Sequence, residues 1–104
     1  MTSQKTELSA ETILNTLTEH SEKLYELGVR KLGLFGSFVR GEQTRGSDID
    51  ILVTMARPSF DDYCNIKFYL EDLFERKIDL VMEDGLKPRL RPIILNEVIH
   101  VKGL

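Results

Sequence analysis

Residues 36–53 read GSFVRGEQTRGSDIDILV, an apolar strand pattern with two aspartates, Asp48 and Asp50, set at its head. Side chains alternate across a strand, so the two carboxylates project from one face, roughly 7 Å apart along the backbone. Withdrawing an unpaired carboxylate from water costs several kcal/mol or more, so a cation is expected beside them. After Asp50 the run ILVTM is largely apolar on both faces. That pattern predicts a strand in the middle of a sheet covered by helices.

Upstream, VRKLGLFGS predicts a short strand ending at Gly36, then a brief helix from Ser37 to Gly41 and the polar loop EQTRGS. Downstream, KIDLVM repeats the strand pattern with Asp79 near its start. Residues 56–76 separate the two strands and hold a helix opened by Pro58 and Ser59, with Asp62 in a box-like cap. Its core stripe is Tyr63, Ile66, Leu70, Leu73 and Phe74. A helical crossover is what adjacent parallel strands require, so Asp79 is expected beside the first two aspartates. An antiparallel first strand would bring Gly36-Ser37 to the same edge.

Residues 9–27 carry Ile13, Leu14, Leu17, Leu24 and Leu27 at helical spacing, with Ser9 as N-cap and Gly28 as the stop. The segment LKPRLRPIILNE predicts a terminal helix. Pro92 requires either a turn over 86–91 before it or a bend. The final VIHV alternates and would add a small edge strand.

The 104 residues fit one domain, expected over 9–104 after a flexible start at 1–8. Apolar residues at 41%, charged residues at 30% and a formal charge of -3 exclude a collagen-like or strongly basic chain, and no direct nucleic-acid binding is expected. The lone Cys64 forms no internal disulfide and reads as structural. No apolar run approaches the ~18 residues of a membrane span, and MTSQKTELSA lacks a signal-peptide core, so a cytoplasmic protein is expected. His20 and His100 sit in no zinc-binding pattern.

Asp48, Asp50 and Asp79 offer hard oxygen donors of the kind that suit Mg²⁺, which keeps waters and accepts phosphate oxygens as well. Gly36 permits close backbone approach, and Ser37 adds a hydroxyl and an amide at a helix start, a combination suited to phosphate. Together these are the parts of phosphoryl or nucleotidyl transfer.

Gly36-Ser37, ten intervening residues and then Asp48-x-Asp50 resemble the signature of the minimal nucleotidyltransferase (MNT) family, within the DNA polymerase β-like superfamily. Arg40-Gly41 and Ser47 extend the match. The resemblance implies an α/β (α+β) fold, a short mixed three-stranded sheet flanked by about four helices. It also implies transfer of AMP from ATP to a tyrosine hydroxyl of a HEPN-domain ribonuclease toxin, whose antitoxin this chain would be in a hetero-oligomer. Asp48, Asp50 and Asp79 would hold Mg²⁺, with Asp79 favouring deprotonation of the hydroxyl. Gly36 and Ser37 would hold the β- and γ-phosphates. Arg40 would either reach phosphate or fasten the short helix to the loop. Lys87, Arg89 and Arg91 read as a solvated basic face. Larger nucleotidyltransferases grip their acceptor with an extra domain, so here the acceptor is expected on another subunit. Two alternatives stand beside this reading. One is neutralisation of the partner by binding alone, through Phe60, Phe68 and Tyr69. The other is nucleotidylation of a small molecule such as an aminoglycoside.

Overall fold

The three strands form where the apolar pattern puts them. In the computed structural model, which describes residues 8–104, β1 spans Val29–Phe35, β2 Ile49–Met55 and β3 Ile78–Met82. β1 runs antiparallel to β2, and β2 runs parallel to β3, as the crossover rule required. The helices are α1 (Ala10–Glu19), α2 (Ser21–Glu26), α3 (Ser37–Arg40), α4 (Phe60–Phe74) and α5 (Arg91–Glu97).

The small edge strand expected from VIHV is present as β4 (Ile99–His100), so the sheet has four strands where the resemblance implied three, in the order β3-β2-β1-β4. β4 pairs antiparallel with Gly33 and Leu34 of β1. Gly33 makes this approach possible, because a Cβ there would lie 2.5 Å from Val98 Cγ2. The expected helix over 9–27 is broken at His20, which raises the helix count to five. His20 leaves helical geometry (φ −103°, ψ 14°) and its Nδ1 lies 2.7 Å from the Tyr69 hydroxyl on α4. Of the two readings at Pro92, the turn is the observed one. The Leu90 and Arg91 amides donate to the Lys87 carbonyl, and Pro92 falls in the first turn of α5, where a missing N–H costs nothing.

One face of the sheet carries the core. Leu32, Leu34, Ile49, Ile51, Val53, Ile78 and Leu80 pack with Ile13, Leu17, Leu24, Ile66 and Leu70 from α1, α2 and α4. Ser9 and Ser59 cap α1 and α4 by accepting from the Thr12 and Asp62 amides. The expected flexible start lies outside the described residues except for Leu8, which packs against the core. Among the described residues, no helix is long and apolar enough to cross a membrane.

α4 ends at Glu75, a non-glycine residue in the left-handed region (φ 50°, ψ 45°). Glycine adopts that conformation without the Cβ clash, so Glu75→Gly is expected to stabilise the fold by about 0.5–1 kcal/mol. Thermal unfolding should show a Tm a few degrees higher, and a fall in Tm would show that the Glu75 side chain contributes more than its backbone strain costs.

Candidate active site

Ile49 and Ile51 are fully buried in the core, so Asp50 between them projects from the opposite face of the sheet. Asp79 does the same between buried Ile78 and Leu80. The parallel register sets Asp50 beside Asp79, and the antiparallel register sets Phe35 beside Asp50. Gly36 follows Phe35 and turns back over the Asp50 carboxylate with φ 83° and ψ −151°. A Cβ on Gly36 would come within 2.8 Å of Asp50 Cγ and closer still to Oδ2. Glycine is therefore required here on two counts, its positive φ and its contact with a carboxylate.

The loop before β2 is tied down from both sides. The Ser47 hydroxyl accepts from the Thr44 amide at 2.8 Å, and the Ser47 carbonyl accepts from Arg76 at 3.0 Å. The Ile49 amide donates to the Lys77 carbonyl at 3.1 Å. Asp48 thus enters beside β3, one residue before β2 begins. The Asp50 carboxyl is pushed up to about 6, first by burial, then by the charge and hydrogen bonding of Asp79 and the charge of Asp48. Arg40 acts in the opposite direction.

The three aspartates share one field, but among the described residues no group of three or more His, Cys, Asp or Glu side chains is closed into a metal-binding set. The donor chemistry still fits a hard divalent ion. Mg²⁺ is commonly held by one or two carboxylates, with water and substrate phosphate completing its shell. Two carboxylates in register, one of them with its ionised form strained by its neighbour, meet that requirement.

The structure redistributes the other expected roles. The Gly36 amide donates to Glu97 Oε2 at 2.8 Å. It points along the sheet toward the C-terminal segment, where the ladder between β1 and β4 would continue. Arg40 pairs with Glu42 at 2.9 Å and with Glu97 at 3.1 Å, so it fastens α3 to α5. Those two carboxylates, Glu42 first, raise its pKa. Ser37 opens α3 and is half-buried beside the aspartates' turn. Lys87 and Arg89 are exposed, whereas Arg91 binds the Glu83 carbonyl and carboxylate. Tyr69 is engaged with His20 and packs on the core, which removes it from the expected docking residues.

Glu97 went unnoticed in the sequence, and its place gave no distinguishing signal: it closes a helix, but so do Glu19 and Glu26, and its partners lie 57 and 61 residues away.

A family profile described as "Nucleotidyltransferase domain" matches residues 15–101. The chain is 43% identical over 96 residues to the protein adenylyltransferase MntA of Thermococcus cleftensis, covering 90% of this chain and 97% of that protein. It is similar to a solved minimal nucleotidyltransferase structure with a TM-score of 0.71 and 33% identity, covering 91% of this chain and 98% of the other. A complex of tri-AMPylated Shewanella oneidensis HEPN toxin with MNT antitoxin contains a chain of the same fold. Its TM-score is 0.56 at 19% identity, over 83% of this chain and 71% of that one.

The strained Asp50 has a measurable consequence for stability. Its folded pKa lies above its unfolded one, so the folded state binds the proton more tightly. That advantage is full below the unfolded value and is lost as pH rises through about 6. In metal-free buffer, Asp50→Asn is expected to stabilise the protein at pH 8 by about 1–2 kcal/mol after allowance for solvent screening. The gain should shrink toward pH 4. Urea unfolding at the two pH values measures it, and an equal effect at both would show that Asp50 is not strained by its neighbours.

Proposed function

This chain belongs to the nucleotidyltransferase domain family and, within it, to the minimal nucleotidyltransferases, and from that premise we propose that it is a Mg²⁺-dependent protein adenylyltransferase acting as an antitoxin. It moves AMP from ATP to a tyrosine hydroxyl of a HEPN-domain ribonuclease toxin with which it assembles. The observation that carries this reading is the register of Asp50 with Asp79 under the Gly36 turn. The AMPylated HEPN toxin in the complex described above supports the choice of partner.

The tyrosine oxygen attacks the α-phosphorus of ATP, the bond to the β-phosphate oxygen breaks, and pyrophosphate leaves. Asp48, Asp50 and Asp79 would hold Mg²⁺, which when bound neutralises charge on the phosphates and lowers the barrier to attack. Asp79 is the most exposed of the three, which supports it as the group that meets the incoming hydroxyl and takes its proton. Ser37 offers its hydroxyl and amide to the β- and γ-phosphates. Gly36 contributes space, since its amide is spoken for by Glu97. Arg40 contributes positive potential to the site from its place between α3 and α5.

Exposed Phe60 and Phe68 on α4, at 79% and 62%, favour a second reading in which association alone silences the partner. The two separate in one experiment. Incubation with labelled ATP, Mg²⁺ and a HEPN-domain partner toxin should label that toxin. Asp48→Asn should reduce labelling by at least ~100-fold, about 2.7 kcal/mol of barrier. Wild type that neutralises the ribonuclease without labelling it, or an Asp48→Asn variant that labels at the wild-type rate, overturns the catalytic reading.

A further inference from the structure

α5 carries its end charges the wrong way round. Arg91 sits at its N-terminus, where the helix dipole disfavours a cation, and Glu97 at its C-terminus, where it disfavours an anion. No residue of α5 is buried, so apolar packing does not explain the arrangement. Each end is answered by a distant partner. Arg91 reaches Glu83, while Glu97 reaches the Gly36 amide at 2.8 Å and both Arg40 contacts at 3.1 and 3.2 Å.

The two anchors differ in what they touch. Glu83 gathers Lys31, Thr54 and Arg91 at the far end of β1 and β2, away from the aspartates. Glu97 grips the one residue whose other side rests on the Asp50 carboxylate. Gly36 is thus held between two carboxylates, Asp50 packed against its Cα and Glu97 accepting its N–H. With no Cβ, glycine has a wide range of backbone directions open to it, so something has to hold the positive φ seen at Gly36. Glu97 is 19% exposed, and Arg40 balances its charge.

We propose that Glu97 is a positioning residue for nucleotide binding: by fixing the Gly36 amide and Arg40 together, it aims the Gly36–Ser37 turn at the triphosphate. This rests on the adenylyltransferase reading. Glu97 touches neither substrate nor metal; it acts through the turn. Without it the turn samples other directions, and Ser37 meets the phosphates in only a fraction of molecules. The apparent affinity for nucleotide then falls by that fraction.

The test compares Glu97→Ala, Glu97→Gln and Glu83→Gln with wild type. Glutamine at 97 keeps an oxygen to accept the Gly36 N–H, whereas alanine does not. Glu83→Gln weakens the other anchor of α5 and serves as the purely structural control. Three quantities are read: amide hydrogen exchange at Gly36 without nucleotide, Kd for a non-hydrolysable ATP analogue with Mg²⁺, and KM for ATP against kcat. Glu97→Ala is expected to speed Gly36 exchange and to raise both Kd and KM about tenfold, with kcat changed less than threefold. Glu97→Gln should recover most of the loss. Glu83→Gln should lower Tm and leave Kd and KM unchanged.

Equal effects of Glu83→Gln and Glu97→Ala on Kd would reduce Glu97 to an anchor of α5 and overturn the inference. So would an active wild type whose nucleotide affinity and Gly36 exchange are indifferent to Glu97→Ala. Wild type that neither binds the analogue nor transfers AMP would instead sink the adenylyltransferase reading itself, and the positioning role with it. Should Glu97→Ala fail to fold, Glu97→Asp, too short to span Gly36 and Arg40 together, is expected to give the same rise in Kd.

Discussion

The parallel pairing of β2 with β3 forces Asp50 and Asp79 to lie side by side on the open face of the sheet. Nothing in either strand can relieve this by local adjustment. Slipping the register by one residue would turn Ile49, Ile51, Ile78 and Leu80 out of the core, because side chains alternate with period two. The core therefore holds two carboxylates together, and burial first, then the charge of Asp79, raises the pKa of Asp50. A cation that binds both carboxylates releases that strain. The binding energy is drawn from burial of apolar residues on the other face, where α1, α2 and α4 pack.

The same constraint shapes the turn above. Asp50 fills the space where a side chain at position 36 would go, so glycine is obligatory and the backbone there lacks the steric guidance a Cβ supplies. Direction has to come from hydrogen bonding. The edge of the sheet provides it through the C-terminal segment, where β4 ends its pairing at Leu34 and Glu97 continues the contact to Gly36. An ion pair such as Glu97–Arg40, with its arginine exposed, is weak as a source of stability, since solvent screens much of the Coulomb attraction. Its better use is to select one geometry among several.

How much of this was legible in the sequence follows from how far apart the interacting residues lie. The strands and the crossover rest on short-range alternation and on a topological rule, and they were read correctly, as was the pairing of Asp50 with Asp79 that follows from them. The spacing from Gly36-Ser37 to Asp48-x-Asp50 was enough to place the turn near the acids. The break at His20 was not legible because its cause, the hydroxyl of Tyr69, is 49 residues away. The edge strand β4 was read from the alternation of VIHV, but its place beside β1 was not, because that depends on the missing side chain of Gly33. Glu97 meets partners 57 and 61 residues distant, and its part in the site could not be read from neighbours. Arg40 was open between two roles in the sequence, and its contacts place it between α3 and α5.

What local rules do forbid is informative in itself. An arginine at the start of α5 and a glutamate at its end each oppose the helix dipole, and a chain selected for helix stability alone would exchange them. Conflicts of this kind between local preference and the final fold are uncommon in sequences that fold well, and they concentrate where function constrains the choice. α1 and α2 also close on glutamates, Glu19 and Glu26, but among the described helices α5 alone is opposed at both ends, and it buries no residue that could offset the cost by packing. Reversing the two charges would suit α5 but would set an arginine against Arg40 and leave the Gly36 amide without an acceptor. The orientation of α5 is thus decided at the turn over Asp50, and the helix accepts the electrostatic penalty that results.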